Sequence, residues 1–262
     1  MNIGRIYAVI VAELYHTRRS LEVIIDIFFF ALISIFAFGF FSNYLIGSGN
    51  PEAARSLIVG LIFWEAVRTG QYSISVGALW QIWSRNLSNI FITPVSIAEY
   101  LVAYAIVSCI KAFIVLVILC TIANFWFGFN IFSLGALNLV ASYINLMFFA
   151  FSTGVFILAL IFRYGTRIQS LAWGIVFIFQ PLSAAFFPVS VLPPYLQKIA
   201  YLFPSTYVFE GGRYALRHPQ FSTNYFIIPL ALNIFYAAVA VLFFLHLFKK
   251  SKDSGQFAKN EG

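Results

Sequence analysis

The chain has 262 residues, 61% of them hydrophobic and only 10% charged, with a mean hydropathy of +0.90. That is too apolar to cover a soluble domain with polar surface, and at about 20 apolar residues per crossing it leaves room for about six transmembrane helices and no second domain. The formal charge of +7 does not point to nucleic acid, because the Lys and Arg residues lie between apolar runs instead of clustering on one face with stacking aromatics.

The first twenty residues lack the long apolar core and cleavage site of a signal peptide, so no processing is expected. Ile3, Ile6, Tyr7, Ile10, Leu14 and Tyr15 recur at helical spacing, interrupted by Arg5, Glu13 and His16. This predicts an amphipathic helix in the membrane interface, with Arg18 and Arg19 among anionic headgroups. A first span is predicted over about 21–46, ended by Gly47 to Pro51. A second covers about 56–82, a third about 97–125 and a fourth about 134–162, the last two joined by an uncharged turn. Cys109 and Cys120 share the third span and lack metal-type spacing, which makes them small lipid- or helix-facing residues.

Arg163 and Arg167 mark the next turn, before a fifth span over about 168–187. The stretch that follows holds Pro188, Pro193, Pro194 and Pro204. Backbone broken by proline cannot face lipid with its polar groups unpaired, so it lies at the surface or dips back under the shelter of neighbouring helices. Leu196, Ile199, Ala200 and Phe203 predict a short amphipathic helix starting at Pro194. A last span covers about 225–248, and a polar, disordered tail is expected from Lys249.

Ten of the sixteen Lys and Arg residues fall on one side of this layout: Arg5, Arg18, Arg19, Arg85, Arg163, Arg167 and the four lysines beyond residue 248. Arg55, Lys198, Arg213 and Arg217 fall on the other. The imbalance puts both termini in the cytoplasm, which requires an even number of spans and agrees with six.

No phosphate-binding Gly-x-x-x-x-Gly-Lys-Ser/Thr loop, zinc motif or nucleophile elbow occurs, and His16, His218 and His246 are scattered. No catalytic, cofactor-binding or metal residue is therefore assigned, and any work done must draw on a partner or an ion gradient. Three charges inside predicted spans are costly, at least ~2.5 kcal/mol each near the bilayer centre. Glu65 and Arg68 stand three apart on one face and can neutralise each other. Lys111 has no partner in its own span; it either reaches Glu65 or lines a hydrated path for an anionic substrate. Glu22 and Asp26 are expected near the interface, by the N-terminal end of the first span.

Between the second and third spans, Trp83 to Pro94 reads as one short helix with a proline stop, and Ser96 followed by Glu99 is a capping-box pattern that starts the next helix. On physical grounds alone this is either an interfacial connector or a contact element. Leu87, Ile90 and Phe91 share one side of it, with Arg85, Asn86 and Asn89 on others.

The order of elements resembles the type-2 ABC exporter permeases, which move drugs, lipids or lipid-linked polysaccharides. One motif is Asn86-Leu87-Ser88-Asn89-Ile90-Phe91-Ile92-Thr93-Pro94-Val95-Ser96, similar to that family's cytoplasmic coupling helix. The more specific one runs from Phe187 through Pro188, Pro193, Pro194 and Pro204 to Tyr207, Glu210 and Arg213, and is similar to the family's re-entrant outer helices. Where the family usually has Asn and a helix former, this chain has Phe203 and the pair Gly211 and Gly212.

The resemblance implies an all-α membrane protein of six spans: an interfacial helix over 1–20, a permease domain over 21–248 and a cytoplasmic tail over 249–262. It also implies residence in the cytoplasmic (inner) membrane as a homodimer among membrane lipids, with separate ATP-binding cassette subunits that bind ATP and Mg and push on the coupling helix through Arg85, Asn86, Leu87, Ile90, Phe91 and Pro94. Glu65, Arg68 and Lys111 are then candidates for the pathway, and Pro188, Pro193, Pro194, Pro204, Tyr207 and Glu210 for the outer gate. The competing readings are a membrane-embedded lipid-modifying enzyme and an assembly scaffold.

Overall fold

The structure, a computed structural model, describes residues 1–254, apart from the side chains of Leu87, Ser88 and Phe91. Among the described residues all regular structure is helical. An amphipathic helix α1 (Ile3–Arg19) bends at Ser20 into α2 (Leu21–Ile24), which runs on through a π-helical turn (Ile25–Phe29) into α3 (Phe30–Gly47). Helix α4 (Pro51–Trp83) follows, then the short α5 (Leu87–Ile92), α6 (Ile97–Phe127) and α7 (Ala136–Tyr164). A 3₁₀ turn (Gly165–Ile168) leads to α8 (Gln169–Leu182), and α9 (Pro194–Ala200), α10 (Pro204–Arg217) and α11 (Asn224–Asp253) complete the bundle.

Helix α4 is the axis of the structure. Every residue from Leu57 to Leu79 is buried, among α3, α6, α7, α8 and α10. A helix enclosed on all sides can carry polar groups, provided that its neighbours satisfy them, and α4 carries Glu65, Arg68, Thr69, Gln71, Ser73 and Ser75. The serines return their hydroxyls to their own helix, Ser73 to the Thr69 carbonyl at 2.7 Å and Ser75 to that of Gln71 at 3.0 Å. Among the described residues the segments apolar and long enough to cross a membrane are four others: Leu21–Gly47, Ile97–Phe127, Ala136–Leu182, which joins α7 to α8, and Asn224–Asp253, which packs on α7 and α10. Their exposed Phe, Ile, Leu and Val side chains form the outside of the bundle.

Both termini lie at one end of the bundle. Tyr100 near the start of α6, Phe162 near the end of α7 and Phe248 near the end of α11 are neighbours, with ring centroids 6.4 and 6.0 Å apart. Helix α1 lies against α6 with Ile3, Tyr7, Val11 and Tyr15 turned outward as an apolar ridge. Glu13, which interrupts the apolar pattern in the sequence, is the side chain of α1 that is buried.

Two boundaries differ from the sequence-based expectation. Helix α8 ends at Leu182 rather than near residue 187, at a length of about 21 Å. Pro181 lies in its last turn, and Ala184 then takes a left-handed conformation with φ of 52°. At the C-terminus, α11 continues through Lys249 and Lys250 to Asp253, with Ser251 fully buried, so this part of the expected tail is helical. The remainder of the tail lies outside the described residues. Cys109 and Cys120 are free thiols, partly buried against the core.

Candidate functional site

At the end that carries the termini, α4 stops in a left-handed Schellman turn. Arg85 has φ of 54°, its N–H donates to the Ile82 carbonyl at 3.0 Å, and the Asn86 N–H donates to Gln81 at 2.9 Å. This reverses the chain into α5 within three residues. On the far side the capping box of α6 is fully formed, with the Glu99 N–H donating to Ser96 Oγ at 3.2 Å and the Ser96 N–H to Glu99 Oε2 at 2.8 Å. Helix α5 is thereby suspended between two rigid stops.

The N-terminus is fastened to the same element. The Asn2 N–H donates to the other oxygen of Glu99 at 2.6 Å, and Arg5 donates to the Pro94 carbonyl, also at 2.6 Å. Glu99 thus accepts from Asn2 and Ser96 together and joins α1 to α6. Replacing Glu99 by Ala is expected to cost about 1–2 kcal/mol and to free the first turn of α1, read as a lower unfolding temperature and faster proteolysis near Asn2.

Within α5, Ile90 packs against the bundle core while Ile92 is 82% exposed. Of the side grouped in the sequence reading, Ile90 thus faces the protein; the side chains of Leu87 and Phe91 lie outside those described. Asn86 donates back to the Gln81 side chain at 2.8 Å.

The second feature is a cavity of about 470 Å³ between the α2–α3 segment, α4 and α8. Glu65 and Arg68 line it as an ion pair, Nε to Oε2 at 2.7 Å, both nearly excluded from solvent. The π-helical turn widens the backbone opposite them, and its Asp26 and Ile27 carbonyls accept from the guanidinium at 3.4 and 3.3 Å. Asp26 also lines the cavity, accepting from the Tyr72 hydroxyl at 2.7 Å, and Trp173 of α8 stands edge-on to Tyr72 with centroids 5.3 Å apart. Gln71 ties α4 to α8 by donating to the Ala172 carbonyl at 3.2 Å.

Lys111 does not line this cavity, and its partner is not Glu65. Its ammonium pairs with Glu13 of α1 at 3.0 Å, both side chains buried, and Tyr104 donates to the same carboxylate at 3.3 Å. Lys111 therefore anchors the interfacial helix to α6. An unpaired Lys in a span and an acid on a helix otherwise apolar enough to lie in the interface were the signal for this pairing. Asp26 and Tyr72 had no such signal, since what joins them is a helix-to-helix contact.

At the opposite end the proline-rich segment folds into a clamp. Glu210 accepts from the Val189 N–H at 2.8 Å and pairs with Arg213 at 3.0 Å, while Arg213 also donates to the carbonyls of Ala184 and Ala185 at 2.8 and 3.3 Å. Pro188 and Pro193 hold extended backbone on either side of a 3₁₀ turn, and Pro194 and Pro204 begin α9 and α10. Tyr207 packs its ring against Tyr201 at 5.4 Å. Gly211 and Gly212 are explained by close packing: a Cβ on Gly212 would lie 2.9 Å from the Phe63 ring of α4, and one on Gly211 2.9 Å from Tyr225 of α11.

No curated protein matches this chain. The family model described as ABC-2 type transporter matches residues 5–216, which takes in α1, the α5 element, the cavity and nearly all of the clamp. Members of that family are membrane transport components that generally pair with ATP-binding cassette ATPase subunits. The chain is a multi-pass membrane protein of the ABC-2 type transporter family, a permease subunit of an ABC transporter.

Proposed function

We propose that the protein is the membrane subunit of an exporter that moves an amphipathic or lipid-linked substrate outward, working as a homodimer with two separate ATP-hydrolysing subunits. Six spans are assigned: the α2–α3 segment, α4, α6, α7, α8 and α11. Helix α4 falls below the hydropathy of the others because its polar residues face protein, yet its 33 residues extend to about 50 Å, beyond the roughly 30 Å of a hydrocarbon core. The basic residues gathered at the end that holds both termini support a cytoplasmic position for that end, in a cell whose inner membrane carries the complex.

The observation that carries the reading is the α5 element. Six residues, bounded by the Schellman turn at Arg85 and the capping box at Ser96, present exposed Ile92 at the cytoplasmic end and are bonded through Pro94 and Glu99 to α1. An apolar residue held outward on a rigid short helix suits contact with a partner subunit. ATP and Mg would bind on that partner, and closure of its two copies would push α5 against α4 and α6.

Replacing Ile92 by Glu is expected to lower ATP-driven transport about tenfold or more, with the unfolding temperature unchanged, because the side chain makes no contact with the core. Unaltered transport by the variant in proteoliposomes would contradict this docking role. It is a cleaner probe than joint replacement of Leu87, Ile90 and Phe91, since Ile90 also packs inward.

A further inference from the structure

The cavity between α3, α4 and α8 carries one more carboxylate than it has cations. Among its lining residues Asp26 and Glu65 are acidic and Arg68 alone is basic. Arg68 is already committed: its guanidinium bonds Glu65 and two backbone carbonyls. The Asp26 carboxylate accepts only a neutral hydroxyl in the bonds described, that of Tyr72, and forms no ion pair within 4 Å among the described residues, the Arg68 guanidinium bonding its backbone carbonyl instead. Asp26 is half-buried, and its carboxylate opens onto the cavity, so its charge is neither neutralised by the protein nor fully hydrated.

The walls add a second, independent preference. Seven of the sixteen lining residues are aromatic, among them Trp64, Tyr72 and Trp173. Aromatic faces attract cations and apolar bodies alike, and disfavour anions. The volume of about 470 Å³ falls within the range of roughly 300–1,000 Å³ typical of sites for drug-sized ligands. An anionic headgroup would meet two carboxylates with a cation that is already bonded. A glycan needs many free polar groups, and here the Gln71 amide donates to Ser75 at 2.6 Å and to the Ala172 carbonyl at 3.2 Å, which leaves Ser34 and Gln180 as the other neutral, non-aromatic polar side chains of the lining.

We infer that this cavity binds an amphipathic monocation, an organic ammonium or phosphonium with an apolar body, with Asp26 as its counter-charge and Trp173 and Tyr72 as aromatic wall. Asp26 is a binding residue; the Glu65–Arg68 pair positions it by holding the π-helical turn from which it projects. That such a cation is cargo rests on the exporter reading, whereas its binding does not.

The test uses the purified full-length protein in nanodiscs of zwitterionic phosphatidylcholine, with tetraphenylphosphonium and tetraphenylborate as probes of like shape and opposite charge. Binding is followed by equilibrium dialysis against empty nanodiscs and by quenching of tryptophan fluorescence. The expected result is saturable binding of the phosphonium but not of the borate, weakened about tenfold or more by D26N. Equal binding of the two ions, no saturable phosphonium binding, or an unchanged affinity in D26N overturns the inference. Should D26N fail to fold, W173A is expected to weaken the phosphonium by a similar factor, and the comparison of the two ions on the unmodified protein decides alone. Failure here with an ATPase subunit still bound sinks the cation site only; phosphonium binding by a chain that captures no ATPase sinks the exporter reading only.

Discussion

Replacing Arg68 by Met is expected to destabilise the protein by about 3–5 kcal/mol, the cost of leaving one member of a buried ion pair without its partner. Arg68 is 8% exposed and Glu65 2%, so neither can turn to water when the other is removed. The loss extends beyond the pair, because the Asp26 and Ile27 carbonyls of the π-helical turn also accept from this guanidinium. A neutral double variant, Glu65→Gln with Arg68→Met, removes the stranded charge and should recover more than half of the loss. Thermal unfolding in mild detergent reads both. An Arg68→Met protein that unfolds at the temperature of the unmodified chain would show that the pair is not buried as described.

Gly60 is the second position of large effect. A Cβ placed there would stand 2.1 Å from the Ala185 carbonyl oxygen, a backbone atom in the turn that ends α8. That turn cannot retreat freely, since Arg213 grips the Ala184 and Ala185 carbonyls and Glu210 binds the next segment at Val189. Gly60→Ala is expected to cost about 1–3 kcal/mol and Gly60→Val more, by the usual range for overpacking. Because the clamp is displaced with the turn, transport in proteoliposomes should fall even at temperatures where the variant stays folded. A Gly60→Val protein of unaltered melting temperature and transport would contradict the close approach of α4 to this corner.

The sequence made the helical class legible because lipid demands long apolar runs, and most helix ends because their caps are local. The capping box at Ser96 and Glu99 and the proline start at Pro194 are examples. The early end of α8 was not legible, since an apolar run extends past Leu182 and the clamp at Arg213 that holds the turn is tertiary. The pairing of Glu65 with Arg68 follows from helical spacing, but the partner of Lys111 is 98 residues away in the sequence, on a helix read as interfacial. The cavity itself depended on Asp26, Tyr72 and Trp173 meeting from three helices, which periodicity along one chain does not report. The departures at Gly211 and Gly212 acquire a reason only once Phe63 and Tyr225 are seen beside them.

The central claim is that this chain supplies a path across the membrane and a separate subunit supplies the energy. Affinity purification of the tagged protein in mild detergent, with mass spectrometry of what remains bound, tests it most directly. The account predicts a co-purifying subunit that carries a phosphate-binding loop, at about equal stoichiometry, and its loss when Ile92 is replaced by Glu. A preparation of this chain alone, repeated in native lipid and still without an ATPase, would contradict it.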